Sequence, residues 1–243
     1  MKNSIVMGLI LVLASTSIAS AQVISFTSFE NDSTGAQYTD TFVGAGDHDL
    51  VNNAGEADVD STNTVGDLGF DASFIDSRSS NGLTDGDFVG VTNFTGTVGS
   101  FTDGTQGYQI SDPDGLFVLT FDPVNLAGIT TPVTASIDYF LGSSGYESDD
   151  FLRIGLDLDG TIVDLINTSG SDIDDLNIEG SFTTLSTTFT GVTTATLFVQ
   201  LDSNSGAEAV FLDNVIFETV PEPSSMVLLG GLFGLAGIVR RRK

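Results

Sequence analysis

Period-two alternation of apolar and polar side chains is the feature that most narrows the folds open to this chain. Between residues 133 and 141, Val133, Ala135, Ile137 and Tyr139 alternate with Thr134, Ser136 and Asp138. Leu152, Ile154, Leu156 and Leu158 alternate with Arg153, Gly155 and Asp157, and Ala195, Leu197, Val199 and Leu201 with Thr194, Thr196, Gln200 and Asp202. Successive side chains of a strand point to opposite faces, so each segment reads as a strand buried on one side. No long segment of the body keeps the 3.6-residue period of an amphipathic helix. Further strands are expected over 22–29, 68–75, 87–92, 115–122, 161–167, 181–190 and 208–218. An all-β fold is expected, with two antiparallel sheets packed face to face.

The turns agree. Asp159-Gly160 separates two apolar strands, and both central residues of a type I′ hairpin turn need positive φ. Asp85-Gly86, Asp103-Gly104 and Asp114-Gly115 are similar dipeptides. Residues 30–67, poor in large apolar side chains, read as long loops with a strand or two. The roughly 200 residues of the body suffice for one core, and neither a linker nor a fixed-period repeat divides them.

Charge excludes one class of partner. Residues 22–220 carry two arginines, Arg78 and Arg153, against 32 acidic residues, a balance of −30. A phosphate backbone would be repelled, so nucleic acid is not a partner. With no cysteine and a single histidine, His48, thiolate metal sites, thiol nucleophiles and histidine clusters are absent from the sequence.

Both ends read as addresses. Lys2, an apolar run over 5–14 and Ala19-Ser20-Ala21 have the order of a secretory signal cut between Ala21 and Gln22 by signal peptidase. The apolar run is about half the ~20 residues needed to span hydrocarbon. A second apolar run, 226–239, reaches roughly 21 Å as a helix, a marginal transmembrane span. Its cluster of Arg240, Arg241, Arg242 and Lys243 favours the cytoplasmic side, which leaves the acidic body outside. Gly230 and Gly234 form a small-xxx-small pair, read here as lowered hydrophobicity rather than a helix-dimer face. The chain thus divides into a signal peptide (1–21), a β-sandwich domain (22–219) and a sorting tail (220–243).

Val220-Pro221-Glu222-Pro223-Ser224-Ser225, the short glycine-containing apolar run and the basic end closely resemble the PEP-CTERM sorting signal. The resemblance covers about the last 24 residues. It implies recognition at the inner membrane by an exosortase and cleavage near Pro-Glu-Pro. It further implies delivery to the surface or matrix of a Gram-negative bacterium that makes exopolysaccharide. The logic parallels a GPI-type signal, in which a removable apolar tail leaves a mature protein without a membrane helix. The resemblance names a destination and no activity.

Three segments of the body carry a second resemblance. Residues 24–30, ending in Phe29-Glu30, look like the first strand of jelly-roll domains similar to galactose-binding and carbohydrate-binding modules. Residues 195–202 and 208–215, the latter containing Asp213-Asn214, look like their last two strands.

Asp213 is the most informative acid. It shares parity with Ala209, Phe211, Val215 and Phe217, which should face the core, and a buried carboxylate must be compensated by backbone N–H groups, a turn or a metal. The jelly-roll resemblance implies a structural Ca²⁺ between an acid ending the first strand and one in the last, positions held here by Glu30 and Asp213. Calcium suits such a place because it takes six to eight hard oxygen ligands in irregular geometry. Asp157-Leu158-Asp159-Gly160 and Asp112-Pro113-Asp114-Gly115 lack the distal Glu of an EF-hand and read as turns.

Catalytic groups are scarce. His48 lies between two aspartates with no Gly-x-Ser-x-Gly elbow in the sequence, and no pair among the acids is singled out as a glycosidase pair. Without tryptophan, sugar stacking would fall to Tyr38, Tyr108, Tyr139 and Tyr146, of which Tyr139 has core parity. The threonines between 187 and 196 are interrupted by Gly191 and do not make the regular array of an ice-binding face. These features describe a non-catalytic exported protein of the bacterial surface or exopolysaccharide matrix, binding carbohydrate or calcium. A secreted polysaccharide hydrolase using two carboxylates is the alternative.

If the tail is a sorting signal, protein recovered from the native surface lacks residues near and beyond Pro223, and deleting residues 240–243 impairs retention or processing. Mass spectrometry of the mature C-terminus decides; an intact end at Lys243 rejects the reading.

Overall fold

The computed structural model describes residues 20–35, 38–39, 46–50, 58–62, 67–78, 82–83, 87–142 and 145–221. The apolar stretches of the signal peptide and tail lie outside the described residues, as do the motif residues Glu222, Pro223, Arg240, Arg241 and Arg242. Among the described residues no helix is long and apolar enough to cross a membrane. Residues Gln22–Val220 form one compact unit.

Hydrogen bonding sorts the alternating segments of this body into two antiparallel sheets. Their strands are β1 (Val23–Thr27), β2 (Asp47–Asp49), β3 (Phe70–Ile75), β4 (Phe88–Thr92), β5 (Gly107–Ser111), β6 (Gly115–Phe121) and β7 (Val124–Asn125). The remainder are β8 (Val133–Leu141), β9 (Phe151–Leu158), β10 (Thr161–Asn167), β11 (Thr183–Phe189), β12 (Thr194–Ser203) and β13 (Ala209–Thr219). The first sheet has the order β11-β8-β13-β5-β4, with β1 also on β13. The second has the order β10-β9-β12-β6-β3-β2, with β7 also on β12. Except for the hairpin β9–β10 and the short β7, successive strands from β5 onward cross between sheets. All ten expected strand segments are strands. The short β2, β5 and β7 are not individually expected from the sequence, and His48, expected in a loop, sits on β2.

Alternation places the core as read. Val133, Ala135, Ile137 and Tyr139 of β8 meet Leu152, Ile154 and Leu156 of β9 and Ala195, Leu197, Val199 and Leu201 of β12 in one buried cluster between the sheets. An aromatic group centred on Phe29 fills one part of it: Phe29 lies 5.7 Å from both Phe70 and Tyr108, and Phe70 lies 5.2 Å from Tyr108 between ring centroids. A second, smaller cluster of Phe101, Phe140, Ala209 and Phe211 is separate from this core.

Strand β13 explains the second cluster. Asp213 pairs with Asp138 of β8, but the next register pair is Ile216 with Ser136, so β13 carries an extra residue there, and Asn214 takes φ 52°. A bulge of this kind shifts the side-chain parity of the strand. Val210 and Leu212 before it, and Val215 and Phe217 after it, all belong to the main core. Ala209, Phe211 and Asp213 therefore point to the opposite face. The expectation that Asp213 faces the main core with Val215 and Phe217 is corrected: the inserted residue breaks the parity on which it rested.

The Asp159-Gly160 turn closes β9 onto β10 with φ 51° and 87°, and Thr161 pairs with Leu158, a two-residue hairpin. Asp159 does more than turn the chain. Its carboxylate accepts from Thr193 N (2.8 Å), Thr193 Oγ1 (2.7 Å) and Thr194 N (2.9 Å), tying the hairpin to the start of β12. These bonds, the Thr193 N–H foremost, hold its pKa below the ordinary aspartate value. A lowered folded-state pKa contributes stability above the unfolded value of about 3.9 that is lost as pH falls. D159N, which keeps the turn geometry, should therefore be less stable than wild type at pH 7, the gap closing toward pH 2. Denaturant titrations at the two pH values check this, and a gap independent of pH contradicts it.

Candidate functional site

Glu30 and Asp213, the pair matched to a calcium site, are brought to one place, and what they hold is a loop. Asp213 is fully buried. Its Oδ2 accepts from Thr102 N (2.7 Å), Thr102 Oγ1 (2.9 Å) and Asp103 N (2.8 Å), and its Oδ1 from Asn214 N (2.7 Å). Glu30 is exposed; its Oε1 accepts from Thr105 N (2.6 Å) and Gln106 N (2.7 Å), and its Oε2 from Thr105 Oγ1 (3.1 Å). The chain passes so close to Glu30 at Gly104, where φ is 75°, that a Cβ there would lie 2.3 Å from the Glu30 carboxyl carbon.

Three donors converge on Asp213 Oδ2, and Oδ1 meets one, the N–H of the next residue. Burial raises its pKa and the donors oppose that rise. Backbone N–H groups of the 102–106 loop therefore compensate this buried acid, chiefly at Oδ2. Of the compensators open from the sequence, N–H groups meet this carboxylate.

The tyrosines expected as sugar platforms are not available. Tyr38, Tyr108, Tyr139 and Tyr146 are all buried; Tyr108 and Tyr146 donate to the carbonyls of Val59 and Ala209. The threonines between 187 and 196 are spread over β11, the connection after it and β12, and those two strands belong to different sheets.

The outer face of the second sheet holds the feature that sequence reasoning missed. Because Ala195, Leu197, Val199 and Leu201 face the core, Thr196, Phe198 and Gln200 face outward on β12. Register sets them in rows: Thr196 beside Asp157, Phe198 between Gly155 and Thr120, and Gln200 between Arg153 and Val118. A depression of about 280 Å³ lies over these rows, with Ile162 of β10, 48% exposed, on its border. A second of about 270 Å³ shares Asp157 and Thr196 and extends to Pro123, Thr194 and Gly160. Together they form an elongated groove.

Phe198 forms its floor. A Cβ at Gly155 would lie 2.6 Å from the ring, so a glycine is what allows the ring to cover β9. The Arg153 guanidinium carbon lies 5.3 Å from the ring centroid, a cation–π distance. Arg153 Nε donates to Asp164 Oδ1 (2.7 Å), which fixes the guanidinium and lowers the pKa of Asp164. The groove thus combines one aromatic surface, a positioned cation and hydroxyl, carboxylate and amide groups. The available signal was Phe198 itself, an apolar residue at an outward position of a strand whose alternation is otherwise regular.

A third group lies in the turns joining β8 to β9 and β12 to β13. Arg78, after β3, donates to Asp202 from Nε, to Asp150 Oδ1 from Nη2 (2.6 Å) and to Asp149 Oδ2 from Nη1 (3.3 Å). Burial works against its charge, but Asp202 and Asp150 hold its pKa above the ordinary value. Glu208 is fully buried, and that burial, reinforced by the charges of Asp150, Glu147 and Asp112, raises its pKa to about 7.

Replacing Asp213 by Asn substitutes an amide N–H₂ for an oxygen that meets N–H and O–H donors. D213N should cost about 2 kcal/mol of stability, whereas E30Q, at an exposed site, should cost about 0.5–1 kcal/mol. Urea unfolding measures both. Equal small losses would show that the buried clasp does not hold the loop.

Known proteins give the chain a destination more than a family. No curated protein sequence matches it. Among solved structures it is similar to a Stig cyclase from Fischerella sp. TAU (17% identity, TM-score 0.41, covering 84% of this chain and 100% of that one). It is also similar to the enzymatically active domain of tailspike protein 4 from bacteriophage CBA120 (12% identity, TM-score 0.40, covering 67% of this chain and 22% of that one). A third likeness is to the CBM22-1 xylan-binding domain of Xyn10C from Paenibacillus barcinonensis (15% identity, TM-score 0.31, covering 57% and 84%). The chain thus spans about a fifth of the length of the tailspike domain. Residues 219–243 match the family model described as the PEP-CTERM protein-sorting motif, which implies an exported precursor processed by an exosortase.

Proposed function

We propose that the protein is a non-catalytic component of the bacterial surface or exopolysaccharide matrix that binds a neutral polysaccharide along the outer face of its second sheet. The observation that carries this reading is the elongated groove floored by Phe198. An extended depression suits a chain of sugar units better than a single one. An aromatic ring covers the apolar faces of a pyranose, while Arg153, Asp157, Gln200 and Thr196 offer the donors and acceptors that hydroxyl groups require. The sorting motif supplies the matching location.

Two features argue for a neutral ligand and against hydrolysis. The body carries −30 around a single groove arginine, so a polyanionic glycan would meet a repulsive field. Glu208, the acid whose pKa is raised to about 7, is fully buried, where a polymer has no access to it.

Affinity electrophoresis and calorimetry against neutral and anionic polysaccharides test the proposal. A neutral polymer should bind, F198A should weaken it roughly fivefold or more, and R153A should weaken it comparably. Circular dichroism checks that the variants fold. Unchanged affinity in a folded F198A, or preference for a polyanion, would reject this groove as the site.

A further inference from the structure

We infer that Glu147, Asp150 and Glu208 form a binding site for one calcium ion that clips together the turns at this end of the two sheets. Oxygens from the three carboxylates lie within 4.8 Å of one another. Two of the acids, Asp150 and Glu208, are buried, and Glu147 is exposed, giving the cluster a closed interior and a solvent-facing ligand.

Glu208 supplies the independent sign of a missing partner. Its Oε2 accepts from Asn204 N (3.0 Å) within its own turn, but its Oε1 is buried and has no hydrogen-bond partner. That oxygen points across to the turn bearing the other two acids: a Cβ at Gly145 would lie 3.5 Å from it. A fully buried carboxylate oxygen without a donor is costly unless a cation meets it. Arg78 is not that cation. Its guanidinium bonds to Asp150, Asp149 and Asp202, leaving Glu208 and Glu147 without a counter-charge from it.

The donor set selects the ion. Oxygen ligands with no nitrogen or sulfur favour a hard cation, and calcium accepts irregular sets of carboxylates, whereas magnesium demands near-octahedral geometry and sheds water reluctantly. The site is distinct from the Glu30–Asp213 pair, whose oxygens already face loop donors. It links β8 and β13 of one sheet with β9 and β12 of the other, so occupancy should resist separation of the sheets at this end.

The test titrates calcium chloride calorimetrically into purified, EDTA-stripped protein, with ionic strength fixed by sodium chloride and magnesium chloride as the comparison ion. Thermal melts follow the same series. A saturable site and a calcium-dependent rise in Tm are expected, with affinity weakened roughly tenfold or more in E147Q and E208Q and retained in E30Q and D213N. Because Glu147 is exposed, E147Q tests the site even if E208Q folds poorly. Absence of saturable binding, equal binding of magnesium, or a site that survives E147Q but is lost in D213N would overturn the inference.

Discussion

The extra residue in β13 governs how this sandwich is layered. β13 lies inside the first sheet, paired with β8 along one edge and with β5 and β1 along the other, so both its edges are hydrogen-bonded. Without the bulge, one face would carry Ala209, Phe211, Asp213, Val215 and Phe217 into a single layer. With it, Val215 and Phe217 join the main core while Phe211 and Asp213 turn outward, against Phe101 and the 102–103 backbone. The 102–106 loop is thereby needed twice, to bury Phe211 with Phe101 and to satisfy Asp213. Its far end is gripped by Glu30 from the residues following β1, so the first and last strands of the body act on one loop.

A body with no disulfide and two arginines must fix its loops by other means, and it uses its acids as acceptors. Asp213 and Glu30 hold the 102–106 loop, Asp159 holds the start of β12, Asp60 accepts from Ala72 N, and Asp150 from Glu147 N. Each is a charge-assisted bond, stronger than a neutral one, and each places the negative end of a side chain against the positive end of a peptide dipole. The excess of acids, which in the sequence reads only as repulsion, is therefore partly a set of tertiary ties. Where no N–H meets a buried oxygen, as at Glu208 Oε1, the same logic leaves a place for a cation.

What the sequence disclosed depended on how regular each element is. β8, β9 and β12 alternate regularly, and the apolar residues read as core-facing are buried in all three except Leu158, which is partly buried. β5 is short, beginning in Gly107 and ending in Ser111, and its pattern of Tyr108 and Ile110 is too brief to separate from a loop. Asp213 stands out in the sequence because a buried acid must be compensated, but alternation assigns it to the wrong face. Parity carries no information about a bulge, and the only local sign is Asn214, whose side chain tolerates the left-handed conformation it adopts. Phe198 is hidden for a related reason. Its place is set by a cross-strand neighbour, Gly155, forty-three positions away, and no local pattern couples the two.

The two arginines of the body divide the work that positive charge can do in so acidic a protein. Arg78 has 13% of its side chain exposed and reaches three aspartates in two segments, Asp149 and Asp150 before β9 and Asp202 on β12, a task that needs the several divergent donors of a guanidinium. Arg153 is held by a single acid, Asp164, and lies over a ring, which needs a planar, weakly hydrated cation. A lysine ammonium would satisfy neither geometry, being a compact charge that cannot fork between carboxylates or cover an aromatic face while bonded at its edge. Since each arginine is committed, neither can neutralise the acids elsewhere, and the remaining charge has to be met by backbone dipoles, by solvent ions or by a bound metal.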